Sequence, residues 1–401
     1  MTRGSEGLEA LLSTAGTLWP GARIERAGEP GKSAGATFAL VPHGRRPQLL
    51  VPLAPARAAP AALCRFSAAS SRRDVLTRLA AAGLTRATGG AVLRDRVVIH
   101  VDEPGHSLQD HLGDVLGEPV TFSLGVGPER VNRKPVLQVY DRRGRTVAFV
   151  KVGDSEQARD DVRAEAVALR RLASADLDPL VVPRLVGEST WNGLVLVVMS
   201  PVRAGASVRR SACGPAPLSE MGRLSGAFAE PSGALGALGW WERQRAAVDR
   251  VVDPGLAAPL RRAVERIDTR DASTSVAVGA WHGDWTPWNM ARAGSRLLLW
   301  DWERFETGVP RGLDAWHYRV NCATRRRGLR ADVVLGELPE AGADRGPGGL
   351  LARLYLLAVA TRYAGLVDAA RGSDIAPAAA VMATALDLSA SSARDCDERC
   401  R

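Results

Sequence analysis

Residues 282–289 read HGDWTPWN and residues 297–303 read LLLWDWE, and these two stretches decide the fold. Asp284 and Asn289 are five positions apart, so one loop can present a carboxylate and an amide together. Asp301 follows an apolar run that predicts a buried strand, whose end would hold its carboxylate firmly. Carboxylate and amide oxygens are the ligands that Mg²⁺ takes from proteins. The order therefore predicts a catalytic loop followed by a metal-binding strand end.

The same order is that of the catalytic loop and the metal-binding Asp of protein kinases. The composite of His-Gly-Asp, four residues, Asn, an apolar strand and Asp-Trp-Glu resembles the signature of the aminoglycoside phosphotransferase and choline kinase family, within the protein-kinase-like superfamily. The resemblance implies that Asp284 is the catalytic base and that Asn289 and Asp301 bind Mg²⁺. It implies that Asp314 braces the catalytic loop, and we expect His282 to brace it also.

A kinase-like fold further requires a lysine on the third strand of its N-terminal lobe and a glutamate on the next helix. Lys151 lies at the end of the third predicted strand, Val147–Val152, and Glu165 lies fourteen positions later in a predicted helix. The chain has 53 cationic residues, and its three lysines are Lys32, Lys134 and Lys151. The position and the rarity of Lys151 predict an ATP contact. The alternative is an ordinary surface lysine and glutamate.

The loop between the first two strands of that lobe is the expected nucleotide cover. Gly125 and Gly127 are expected to let the backbone approach phosphate, although the full G-x-G-x-x-G motif is not present. The apolar strand ending at Met199 resembles the one that feeds the hinge of a kinase. Backbone groups from Met199 to Val202 are therefore expected to hold adenine, with Pro201 lacking a donor.

The pattern of elements predicts an α+β protein with a bilobal protein-kinase-like fold, preceded by a small α+β domain. Residues 1–117 are expected to form that N-terminal domain, whose role the sequence does not indicate. Residues 118–202 are expected to form the β-rich N-terminal lobe and hinge. Residues 203–389 are expected to form a mainly helical lobe that carries the catalytic loop. Residues 390–401 are expected to be a polar tail.

The composition narrows the classes of partner. The net charge is +9, but the excess is scattered arginine, so a nucleic-acid partner is not expected. Residues 281–316 hold four Arg against five Asp and Glu, which fits an amine or a neutral sugar better than a highly anionic substrate. No uninterrupted apolar run reaches the ~20 residues of a membrane span, and no apolar signal-peptide core is evident. We expect a cytoplasmic protein without a membrane partner.

The resemblance implies an ATP- and Mg²⁺-dependent phosphotransferase that acts on a hydroxyl of a small molecule, such as an aminoglycoside, a sugar or an amino alcohol. Gly283 stands where protein kinases have Arg, and Trp302-Glu303 follows the metal-binding Asp where they have Phe-Gly. No Ala-Pro-Glu follows, so a protein-kinase role is not expected. The alternative is a nucleotide-binding pseudokinase or scaffold without turnover.

Overall fold

The computed structural model describes residues 3–27, 36–42, 47–64, 72–100, 106–125, 134–202, 208–210, 213–338, 347–371 and 375–399. The helices are α1 (Arg3–Leu18), α2 (Ala58–Leu63), α3 (Arg72–Ala87), α4 (Leu108–Leu116), α5 (Glu156–Leu172), α6 (Leu218–Ala227), α7 (Gly239–Asp249), α8 (Pro254–Asp271), α9 (Leu313–Arg327), α10 (Ala331–Leu335), α11 (Pro347–Leu366) and α12 (Ala376–Arg399).

The strands are β1 (Arg23–Ala27), β2 (Ala36–Val41), β3 (Leu49–Pro52), β4 (Arg96–His100), β5 (Thr121–Gly125), β6 (Val136–Tyr140), β7 (Thr146–Gly153), β8 (Leu180–Val181), β9 (Leu185–Trp191), β10 (Leu194–Met199), β11 (Val208–Arg210), β12 (Glu230–Ala234), β13 (Ser275–Trp281), β14 (Met290–Ala293), β15 (Arg296–Leu299) and β16 (Glu306–Pro310). The chain forms two compact units, of which the first comprises Met1–Ala173 with Pro183–Arg203 and the second Ser174–Val182 with Ala204–Arg401. The α+β class predicted from the sequence is confirmed.

The first unit is built on one antiparallel sheet with the strand order β1-β4-β2-β3-β5-β6-β7-β10-β9. Strands β5, β6 and β7, helix α5, and strands β9 and β10 follow one another as the sequence predicts for a kinase-like N-terminal lobe. Helix α5 packs against β7 and β10. Its buried apolar side chains Val162, Ala166 and Leu169 recur at the spacing of one helical face.

The predicted separate domain of residues 1–117 is not a separate compact unit. Strand β3 pairs with β5, Leu50 lying opposite Leu124, so the early strands extend the sheet of the expected lobe. One apolar core contains side chains from both parts, and Trp19 stacks on Phe122 with 5.2 Å between ring centroids. Alternating apolar residues predict a strand with one buried face, but they do not specify which strand lies beside it. The sheet and this apolar core therefore continue across residue 117.

The second unit contains two small sheets and helices α6 to α12. One sheet has the order β11-β14-β15-β8, with β8 parallel to β15, and the other has the order β12-β13-β16. Helix α11 lies in the main apolar core with α8 and α12. The stretch Gly349–Ala369 has a mean hydropathy of 1.4, enough by length and composition for a membrane span. In the fold, however, 61% of the most apolar 18-residue part of this stretch is buried, as expected of a core helix.

The C-terminal segment of the chain is helical. Residues 390–401 are expected to be a polar tail, and α12 continues through them to Arg399. Many residues of this segment, such as Ala393 and Arg394, have favourable helix propensity. A helix that is anchored at its N-terminal end by apolar packing can therefore continue through a polar sequence.

Candidate active site

The loop that carries the predicted catalytic residues begins where β13 ends. Both Asp314 carboxylate oxygens accept hydrogen bonds from this loop, one from the backbone N–H of His282 at 2.8 Å and one from that of Gly283 at 3.1 Å. Gly283 has a φ of +76°, and a Cβ there would lie 2.3 Å from the backbone oxygen of Arg304. Only glycine meets both conditions, so the loop depends on Gly283 as well as on its polar residues.

The buried His282 ring connects the loop to the end of β15. Its Nδ1 accepts a hydrogen bond from the Asp284 backbone N–H at 3.2 Å, so Nε2 carries the proton and donates to the Trp300 backbone oxygen at 3.1 Å. Burial lowers the pKa of His282 to about 4, although the Asp284 and Asp301 carboxylates act in the opposite direction. A neutral ring with both nitrogens engaged braces the loop.

The Asp284 carboxylate is held from two sides. Its Oδ1 lies 3.0 Å from His317 Nε2, and its Oδ2 accepts a hydrogen bond from Asn289 Nδ2 at 2.8 Å. Burial lowers the pKa of His317, so its ring is neutral near pH 7 and donates through Nε2. The Asp284 side chain is still 34% exposed. A carboxylate in fixed orientation is therefore accessible to a reacting group.

The buried Asp314 is the second acidic group of the loop. Burial raises its pKa to about 7, the two backbone N–H groups that it accepts lower it, and the nearby Asp284 carboxylate raises it further. Since its two oxygens accept hydrogen bonds inside the protein, Asp314 is placed to shape the loop rather than to contact a ligand.

Asn289 and Asp301 lie at the open end of the β14–β15 hairpin. Met290 pairs with Leu299, and the Trp300 N–H donates to the Asn289 backbone oxygen at 3.1 Å, so Asp301 is one residue beyond that bond. Asp301 has a φ of +74°, which is uncommon for a residue with a side chain and occurs often at functional sites.

The side-chain oxygens of Asn289 and Asp301 fit a magnesium site better than a site built from several His, Cys or acidic ligands. Among the described residues, no group of three or more His, Cys, Asp or Glu side chains could hold a metal. An amide oxygen from Asn289 and a carboxylate from Asp301 fit Mg²⁺, which commonly takes one or two protein ligands and completes its shell with phosphate and water.

The first unit holds the predicted lysine and glutamate as a buried pair. Lys151 Nζ on β7 lies 2.5 Å from Glu165 Oε2 on α5, and the two side chains are 12% and 1% exposed. A second buried pair lies one helical turn away, where Lys134 Nζ is 2.8 Å from Asp161 Oδ2. The alternative of an ordinary surface lysine and glutamate is therefore wrong.

The other predicted nucleotide contacts are also in the first unit. Gly125 is the last residue of β5 and pairs with Val136. Gly127 lies outside the described residues. Met199 ends β10 and is buried, while Val202 follows it in a half-buried irregular segment.

Two residues of the catalytic loop's surroundings were missed from the sequence. His317 lies on α9, 33 positions after Asp284, and Arg362 lies on α11, where its Nη1 donates to the Gly283 backbone oxygen at 2.9 Å. A lone histidine or arginine inside a helical pattern has no spacing that connects it to a distant loop. The only available signal was that both lie in helices predicted to follow the loop.

No protein-family model matches the sequence, and no curated protein matches it. Similar solved structures include aminoglycoside phosphotransferase APH(4)-Ia, with 16% identity over 70% of this chain and 98% of that chain and a TM-score of 0.47. Aminoglycoside phosphotransferase APH(2'')-Ib has 12% identity over 69% of this chain and 97% of that chain, with a TM-score of 0.41. A Thermobifida fusca protein named as a fructosamine-3-kinase has 17% identity over 72% of this chain and 99% of that chain, with a TM-score of 0.43.

Proposed function

We propose that this protein is an ATP- and Mg²⁺-dependent phosphotransferase that moves the γ-phosphate of ATP to a hydroxyl of a small molecule. The observation that carries the proposal is the buried ion pair of Lys151 and Glu165. A strand lysine joined to a glutamate on the following helix is the arrangement with which kinases hold phosphates. Burial of the pair is not itself the argument, because Lys134 and Asp161 are buried in the same way; what supports phosphate binding is the place of Lys151 on the strand that precedes α5.

Asp284 is the proposed base. It would receive the proton of the acceptor hydroxyl while the hydroxyl oxygen bonds to the γ-phosphorus. The bond from that phosphorus to the oxygen bridging the β-phosphate breaks, and ADP leaves. His317 and Asn289 hold the two Asp284 oxygens in position, which supplies the orientation on which this reaction depends.

Asn289 and Asp301 are the proposed metal ligands. Bound Mg²⁺ would neutralise charge on the phosphates. The backbone hydrogen bond between Trp300 and Asn289 supports this assignment, because it fixes the two ligand positions at the same end of one hairpin.

The proposal is tested with purified protein, Mg-ATP and pooled acceptors comprising aminoglycosides, sugars and amino alcohols. ADP release and the mass of the phosphorylated acceptor are measured for the wild type, Asp284→Asn, Lys151→Met and the control Asp160→Asn, whose carboxylate is exposed on α5. We expect turnover in the wild type and the control, and losses of about 10²-fold or more in the other two variants.

Two outcomes contradict the proposal. Equal turnover in the wild type and Asp284→Asn would remove Asp284 from the chemistry. ATP affinity in the wild type without turnover of any acceptor would favour a nucleotide-binding pseudokinase.

A further inference from the structure

A cavity of about 440 Å³ in the second unit adjoins the catalytic loop. Trp281, the residue before His282, lines it, and so does Arg362, whose Nη1 donates to the Gly283 backbone oxygen at 2.9 Å. The volume lies within the range of about 300–1,000 Å³ that is typical of small-molecule sites. The remaining walls come mainly from α7 and α11.

The charged side chains that line this cavity are three arginines and two acids, namely Arg250, Arg304, Arg362, Glu306 and Asp368. The arginines at 250 and 362 lie outside the sequence stretch that carries the catalytic motif. A charge count over that stretch alone therefore does not describe the cavity.

Both acids of the cavity already accept hydrogen bonds from groups that do not line it. Glu306 Oε1 accepts hydrogen bonds from Arg243 Nε at 3.2 Å and Nη2 at 2.8 Å. The two oxygens of Asp368 accept from the backbone N–H groups of Val252 and Asp253 at 2.8 and 3.2 Å. Arg304 is paired in a similar way, its Nε lying 3.7 Å from Glu303 Oε1, whereas Arg250 and Arg362 form no ion pair with a described residue. The charges of these two arginines are therefore what an anionic ligand would meet.

Several donors of the cavity remain available. The Arg250 side chain is exposed and makes no hydrogen bond or ion pair with any other described residue. Trp281 and Thr361 are each 6% exposed, and the Trp281 indole N–H and the Thr361 hydroxyl have no hydrogen-bond partner among the described residues. A buried donor without a partner costs about 1–3 kcal/mol, which a ligand oxygen would recover.

We propose that this cavity binds the oxyanion end, a carboxylate or a phosphate ester, of a small polyol acceptor. Guanidinium groups suit both oxyanions because their N–H groups match the geometry of carboxylate and phosphate oxygens. That the ligand of this cavity is the phosphate acceptor rests on the proposed phosphotransferase function. An anionic acceptor differs from the amine or neutral sugar that the charge of residues 281–316 led us to expect.

The test measures binding to the full-length protein by calorimetry without ATP. Four probes share a six-carbon polyol skeleton and differ in charge: gluconate, glucose 6-phosphate, glucose and glucosamine. We expect one or both anionic probes to bind about tenfold or more tightly than glucose, and glucosamine to bind most weakly. Gluconate and glucose 6-phosphate distinguish the carboxylate from the phosphate.

Two variants locate the binding. Arg250→Gln removes an exposed charge and is expected to weaken anion binding about tenfold without loss of folding. Gly365→Leu is expected to block the cavity, because Gly365 lines it and a Cβ at that position meets no atom within 4 Å. Arg261→Gln, at an exposed arginine outside the cavity lining, is the matched control and should bind like the wild type.

The outcomes separate this inference from the proposed function. Anion binding that is lost in Gly365→Leu, without turnover of Mg-ATP on any acceptor, supports the anion site and contradicts the phosphotransferase. Turnover of neutral or cationic acceptors without preferential anion binding supports the phosphotransferase and overturns the anion site. Three other results overturn the anion site: equal affinity for the four probes, no binding of any of them, or no effect of Arg250→Gln on binding.

Discussion

Removing Lys134 is expected to destabilise the first unit by about 3 kcal/mol. Lys134 and Asp161 are 8% and 4% exposed, so Lys134→Met leaves a buried carboxylate without its cation. Loss of one partner of a buried pair typically costs about 3–5 kcal/mol. The lower end applies here, because Gln157 Nε2 still donates to the other Asp161 oxygen at 3.0 Å.

A double-mutant cycle isolates the pair. Asp161→Leu alone strands a buried ammonium and is expected to cost a similar amount, whereas replacing both residues by apolar ones is expected to be nearly neutral. The coupling free energy should therefore reach several kcal/mol. Hydrogen exchange of peptides from α5 measures the local free energy of opening, and it reports on this helix separately from the second unit.

Helix α5 also provides the matched control. Arg163 and Asp160 form an exposed pair at 3.7 Å, with side chains 57% and 67% exposed. Arg163→Met should change the free energy of opening by less than about 0.5 kcal/mol, because exposed pairs contribute little. The reasoning is refuted if Lys134→Met costs no more than Arg163→Met, or if the coupling free energy is below about 1 kcal/mol.

Three further predictions concern the proposed active site. Gly283→Ala should lower the free energy of unfolding by more than Gly294→Ala, which has a similar φ of +62° but meets no atom within 4 Å, and denaturant titration checks the difference. Lys151→Arg keeps the charge but replaces a compact ammonium by a planar group, so kcat/KM for ATP should fall by about 10²-fold in steady-state assays. In Asp314→Asn, the free energy of unfolding should fall by about 2 kcal/mol from pH 7.5 to pH 5, because unfolded His282 titrates near 6.5 and the folded ring only near 4. Wild-type protein should show little net change over the same titration, because the pKa of Asp314 is raised to about 7, and the proton that its folded form gains in that window offsets the loss through His282.

The elements of the fold were largely predictable, whereas their pairing was not. Helix α4 begins with a capping box of Ser107 with Asp110 and ends at Gly117. These signals act within one turn of the chain, so a sequence displays them directly. The pairing of β3 with β5 joins residues about 75 positions apart, and no local signal specifies it.

The proposed catalytic loop was predictable for the same reason. Asp284 and Asn289 must lie on one loop to act together, so their spacing is visible in the sequence. His317 and Arg362 support the loop from helices α9 and α11, and their identity depends on how those helices pack. A residue that acts through tertiary contact needs no fixed spacing, so a sequence motif can indicate the proposed reacting groups but not the residues that support them.

The two buried lysines of the first unit pair with acids that lie one helical turn apart on α5, and we predict different roles for them. The chain has 50 arginines and three lysines, and Lys134 and Lys151 are both buried in pairs with acids of α5. A guanidinium is larger and needs more hydrogen-bond acceptors, so it is harder to bury beside a single carboxylate than an ammonium. Burial alone thus explains both lysines, and rarity of lysine is not by itself evidence of phosphate binding. The distinguishing feature of Lys151 is its place on the strand that precedes α5, which is why variants of Lys151 are predicted to change turnover and variants of Lys134 to change stability.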